Sequence, residues 1–250
     1  MGRVVTATRP PPSVRSPTKS AGADGSHRCP DGWILLLVAG CCDPRGCNEM
    51  FGKGFARRMA KRYRRRGLDR TAERMVEFLA GHGLEGATVL EIGGGVGEIH
   101  LELLRRRAAS ATSLELSTAY DDEALRLSER AGVTGRVTRR IMDIAATSDR
   151  VETADLVVLH RVVCCYPDFE KLLGAAADHC RGLLVFSHPP RNAVSRTVVG
   201  TQNALFGLVG KRFRTFAHPP EAMFSVLNAH GLDTRFTHAG RIWQVGGLTR

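Results

Sequence analysis

The stretch Glu91-Ile-Gly93-Gly-Gly95-Val-Gly97 constrains this chain more than any other. Val89 to Ile92 are apolar or β-branched except for Glu91, which suits a short buried strand. Glycines at 93, 95 and 97 then impose a tight turn that a side chain would obstruct. From Glu98 onward, Ile99, Leu101, Leu103 and Leu104 supply the apolar positions of a helix. Strand, glycine turn and helix start let a nucleotide-like cofactor lie against bare backbone. The glycine spacing alone does not say which cofactor.

The rest of the chain repeats that alternation. Strands are expected at 88–92, 111–115, 136–142, 155–160 and 182–187, with helices near 97–108, 118–131, 168–179, 193–209 and 219–230. Pro219 and Pro220 suit the first turn of the last helix. Segments 234–239 and 241–247 should close the domain as a hairpin through Gly240. The pattern predicts a three-layer, Rossmann-like α/β fold: a mostly parallel sheet, helices on both faces, and a C-terminal antiparallel hairpin.

Upstream, three compositions succeed one another. Residues 1–28 are rich in Pro, Ser, Thr, Gly and Arg and read as a disordered leader. Residues 29–84 hold a cysteine-containing turn region and a basic helical cap, and 85–250 hold the α/β domain. The cap begins with a helix over 51–66, striped by Phe55, Met59 and Tyr63; a second runs to Ala80, capped by Asp69. Charge is uneven: residues 1–80 carry 16 Lys and Arg against 7 Asp and Glu, residues 81–250 carry 20 against 18. A nearly neutral α/β domain argues against nucleic acid as the partner.

Seven cysteines, including the adjacent pairs Cys41–Cys42 and Cys164–Cys165, form no disulfide framework and fit a reducing cytoplasm. Cys29, Cys41, Cys42 and Cys47 lack zinc-knuckle spacing, so no metal is expected. The apolar run 33–40, followed by Cys41, is shorter than a membrane span and near the minimum for a secretory signal. It is read as leader.

With these residues in place, the chain resembles the class I S-adenosylmethionine-dependent methyltransferases over roughly residues 85–250. Their acidic-x-G-x-G-x-G motif matches Glu91 with Gly93, Gly95 and Gly97. Their second strand-end acid matches Glu115, 22 residues beyond Gly93, and their third matches Asp143, followed by Ile144. The resemblance implies S-adenosylmethionine as cofactor. Glu91 would order the loop or meet the methionine ammonium, Glu115 the ribose hydroxyls, Asp143 the adenine amine, and Ile144 its ring. The alternatives are an NAD-dependent oxidoreductase, which would use an acid at the Glu115 position, and a non-catalytic cofactor-binding regulator.

Two loops at the same sheet edge carry the acceptor side: His160 to Pro167, with Cys164, Cys165 and Tyr166, and Phe186 to Pro190, with His188. They weakly resemble the magnesium-protoporphyrin IX methyltransferases, which methylate a porphyrin carboxylate. That family has a histidine before its Tyr-Pro, where this chain has Cys165, and an N-terminal tyrosine over the pocket, for which Tyr63 is the candidate. The expected partner is a small-molecule methyl acceptor, anionic and apolar. His160, His188 and Tyr166 are the catalytic candidates, with His160 also a cofactor contact. Cys164 and Cys165 should line or underlie the pocket. The segment 190–216, with Arg191, Arg196, Lys211, Arg212 and Arg214, is either a lid or a covering helix with a solvated basic end.

Overall fold

The computed structural model describes residues 46–250. The expected leader, the run 33–40, and Cys29, Cys41 and Cys42 lie outside the described residues. A short helix α1 (Cys47–Met50) leads to α2 (Lys53–Arg66) and α3 (Arg70–Ala80). The alternating core follows as β1 (Thr88–Ile92), α4 (Glu98–Arg105), β2 (Ser110–Glu115), α5 (Asp121–Arg130), β3 (Val137–Ile141) and β4 (Ala154–Leu159). It continues through α6 (Phe169–Asp178), β5 (Cys180–His188), α7 (Ala193–Leu208) and α8 (Pro220–Ala229), and ends in β6 (Asp233–His238) and β7 (Gln244–Thr249).

The seven strands stand in the order β3-β2-β1-β4-β5-β7-β6. The first five are mutually parallel, and β7 inserts antiparallel between β5 and β6. Strand alternation divides the core in two. Val89, Val158 and Val185 face α3 and α4, where Met75, Leu79, Ile99 and Leu104 are fully buried. Leu90, Val157, Leu184 and Phe186 face α6 and α8 and pack with Leu172, Met223 and Leu227. Each such side chain contributes ~1.5–3 kcal/mol by leaving water. Residues on both sides of position 85 share the first cluster, so α2 and α3 bury their apolar faces in the same core as β1 and β4.

Three local differences from the sequence reading have physical causes. Helix α2 starts at Lys53, because Gly52 is extended and Phe51 turns onto Phe213, with ring centroids 5.1 Å apart. Its innermost residues are Ala56, Ala60 and Tyr63, which allow close approach, while Phe55 and Met59 are only partly buried. The last strand runs 244–249 instead of 241–247, in the register set by the pairs Leu183–Thr249 and His188–Gln244.

Candidate active site

The C-terminal ends of β1, β2 and β4 open into a cavity of about 210 Å³. Residues of α1, α2 and the segment between them, including Cys47, Phe51, Phe55 and Met59, also line it. The switch from β1–β2 to β1–β4 pairing occurs here, where such sheets bind ligands. Gly93, Gly95 and Gly97 all have positive φ. A Cβ on Gly93 would stand 2.5 Å from a Val162 methyl, and one on Gly97 would stand 2.4 Å from the His100 ring. Glu91 is buried, and its carboxylate bonds both the Nδ1 and the backbone amide of His100. That contact ties the end of β1 to α4. Gly97 caps α4 from outside the cavity lining.

Beyond the loop, Glu115 Oε2 accepts from the Gly95 amide at 2.9 Å. Its Oε1 accepts from the Leu116 and Ser117 amides at 2.8 and 3.2 Å. Asp143 Oδ1 accepts from the Ala145 amide, and the Tyr166 hydroxyl donates to Asp143 Oδ2 at 2.9 Å. Met142 and the buried Ile144 complete an apolar slot beside these acids. Tyr166 lines the cavity with its hydroxyl engaged by a carboxylate, so it stands on the side expected for adenine.

On the opposite wall only His160 was foreseen. Glu98, His160 and Arg161 line it, and Asp69 and Arg62 stand behind them. Asp69 caps α3 through Oδ1, while Oδ2 receives Arg161 at 2.7 Å and lies 3.6 Å from Arg62. Burial alone would raise the Asp69 pKa; His160, the Ala72 amide and Arg161 outweigh it and hold the carboxyl below the ordinary range. Glu98 receives only Arg62, at 3.3 Å on Oε1. Burial, with the Asp69 and Glu91 carboxylates nearby, outweighs Arg62 and Arg161 and pushes its pKa up to about 7.

The Ser187 hydroxyl accepts from the Arg161 amide at 2.9 Å and lies 3.1 Å from His160 Nδ1. That hydroxyl can accept from Nδ1–H or donate to bare Nδ1; the Asp69 carboxylate, 3.8 Å from Nε2, favours the proton on Nε2. Burial lowers the His160 pKa, so the ring is neutral. Glu98 Oε2, His160 Nε2 and Arg161 Nε are buried without hydrogen-bond partners, and all three residues line the cavity. Buried polar atoms left in that state cost ~1–3 kcal/mol each. Arg161 itself sits at φ 59°, a left-handed conformation rare outside glycine.

The structure does not bring every candidate here. His188 is outside the lining: it is buried, with Nδ1 on the Pro189 carbonyl and its ring between Phe186 and Phe224. Tyr63 is also outside, its hydroxyl donating to Glu102 at 2.7 Å. Tyr120 stands in the cavity wall instead, facing Gly95. Cys165 lines the cavity and Cys164 is buried, with the sulfurs 3.6 Å apart. The missed residues carried faint signals. Glu98 directly follows Gly97 in the first turn of α4, and Arg161 directly follows His160.

Residues 59–241 match the family described as methyltransferase domain, and the chain belongs to that family. It is a class I S-adenosylmethionine-dependent methyltransferase, which sets aside the oxidoreductase and the non-catalytic readings. Among solved structures, magnesium protoporphyrin IX methyltransferase from Synechocystis PCC 6803 with bound SAH is similar, at TM-score 0.60 and 21% identity. The match covers 72% of this chain and 81% of that one. An O-methyltransferase family protein from Burkholderia thailandensis matches at TM-score 0.61 and 19% identity, over 82% of this chain and 61% of that one. No curated protein sequence matches the chain. Among the described residues, no helix is long and apolar enough to cross a membrane.

The residues present fit the cofactor. The glycine turn leaves backbone bare, and the polar wall holds atoms waiting for partners.

Proposed function

We propose that this methyltransferase acts on a small, apolar acceptor bearing a carboxylate, and forms its methyl ester. The observation that carries the reading is the state of His160. Its Nδ1 lies 3.1 Å from the Ser187 hydroxyl and its Nε2 lies 3.8 Å from Asp69 Oδ2, so neither ring nitrogen is presented as a free base. Such a site suits an acceptor that is already an anion; a neutral amine or phenol would need a base there. Cys165, Phe51, Phe55 and Met59 give the acceptor side apolar walls. The named activity of the Synechocystis protein is compatible with such an acceptor.

In this reading the adenosine end of the cofactor lies by Glu115, Asp143 and Ile144. Its amino-acid end lies against Gly93 and Gly95, with the ammonium at Glu98 Oε2 and the carboxylate at Arg161. The cofactor supplies an electrophilic methyl group on sulfur. The chain supplies alignment, and orientation of this kind can lower a barrier by several kcal/mol. Asp69 positions Arg161 and keeps His160 oriented, Glu91 fixes the loop through His100, and Tyr166 holds Asp143.

A labelled-methyl transfer screen over carboxylic acids, phenols and amines tests the reading. The expected product is labile to alkali, as esters are. Label that resists alkali, on an amine or phenol, would overturn it.

A further inference from the structure

Helix α7 wears its amphipathicity inside out. Its partly covered residues are Ser195, Val199, Gln202, Asn203 and Phe206, and none of its residues is buried. Asn203 faces inward, exchanging hydrogen bonds with the Thr215 backbone at 2.8 and 2.9 Å. Outward, Val194 is 72% exposed, Val198 57%, Leu205 57% and Leu208 83%, and Val209 continues the face beyond the helix. With Thr201 between them, the steps are 4, 3, 4 and 3, a single stripe along ~24 Å of helix. The cofactor cavity does not explain the stripe, because no residue of α7 lines it.

Charge selects the occupant. No acidic residue stands between Asp178 and Glu221, whereas Arg191 precedes the stripe and Lys211 and Arg212 follow it; Arg196 lies about 160° round the helix from it. A second copy laid antiparallel would set basic end against basic end, with no carboxylate in the segment to relieve the repulsion. An anionic lipid surface meets both features: headgroups for the arginines and lysine, and the acyl boundary for the valines and leucines.

We propose that α7 is a peripheral docking surface for anionic membranes, lying in the interface without crossing it. The proposal stands apart from the identity of the methyl acceptor.

Sedimentation of the full chain with vesicles tests it. We expect binding to mixed phosphatidylcholine–phosphatidylserine vesicles, little to phosphatidylcholine alone, and loss at high salt. Val198→Asp with Leu205→Asp should weaken binding about tenfold or more, as should Arg191→Glu with Arg212→Glu. Both variants should keep wild-type affinity for S-adenosylhomocysteine, showing an intact fold and cofactor site. Failure of the wild type to sediment would overturn the proposal. So would unchanged binding by the Val198/Leu205 variant, which would put the contact elsewhere in the chain. A wild-type dimer that this variant converts to monomer, without vesicle binding, would show instead that a second copy covers the face.

Discussion

The two ends of the cofactor cavity are built on different principles. At one end, Glu115 and Asp143 are strand-end carboxylates whose oxygens already accept from neighbouring amides and the Tyr166 hydroxyl. At the other, Asp69, Glu98, His160, Arg62 and Arg161 come from α2, α3, α4 and the end of β4, and several of their polar atoms have no partner. The first end keeps its shape without a ligand. The second holds unpaired polar groups in low dielectric, an arrangement whose cost is relieved by a ligand of complementary charge. Ligand affinity should therefore depend more steeply on the second end than on the first, and on pH only there.

The largest expected effect breaks both ends at once. Gly97→Ala forces a Cβ into His100 at φ 87° and detaches the loop from Glu91. It should destabilise the protein by ~2–4 kcal/mol and abolish measurable cofactor binding, checked by thermal unfolding and calorimetry. Next come the acids. Glu98→Gln and Glu115→Ala should each weaken S-adenosylhomocysteine binding by roughly 10–100-fold. If the contrast between the ends holds, Glu98→Gln has the greater effect; the reverse order would refute it. Smallest is Tyr166→Phe, which leaves Asp143 its amide and should cost at most ~1 kcal/mol of affinity. A hundredfold loss in that variant would instead make the Tyr166 hydroxyl essential to binding at the first end.

Stability should separate the ends as well. A buried acid with a raised pKa favours the folded state while protonated, and that contribution disappears as pH rises through the folded value. The ligand-free protein should therefore lose stability as pH rises from about 4.5, the ordinary value, to about 7, the folded value of Glu98, and no more above it. Glu98→Gln should flatten that part of the profile, read as Tm against pH.

This division also explains what could be read from the sequence. The mostly parallel sheet and the closing hairpin follow from period-2 and helical spacing, which are local patterns, and the family resemblance points to the acids at successive strand ends. The second end depends on helices α2 and α3 folding back over β4, which brings together residues 92 positions apart, Asp69 and Arg161. Nothing in the local sequence of Asp69 distinguishes that hub from an ordinary helix cap, and it does serve as the cap too. His188 misled for the opposite reason. Its place beside Pro189 at a strand end looks catalytic, but aromatic neighbours from β5 and α8 enclose it. Tyr63 shares an apolar stripe with Phe55 and Met59, yet its turn of α2 carries its hydroxyl to Glu102.

The central claim is that Glu98 Oε2 awaits the cofactor's ammonium, and calorimetry across pH tests it most directly. Binding that requires ionised Glu98 must expel its proton below pH 7. From a pKa of about 7, S-adenosylhomocysteine affinity should rise about eightfold between pH 6 and 7.5, with proton release at the lower pH and neither effect in Glu98→Gln. Affinity that stays flat over that range in the wild type, or the same rise in Glu98→Gln, would contradict the account.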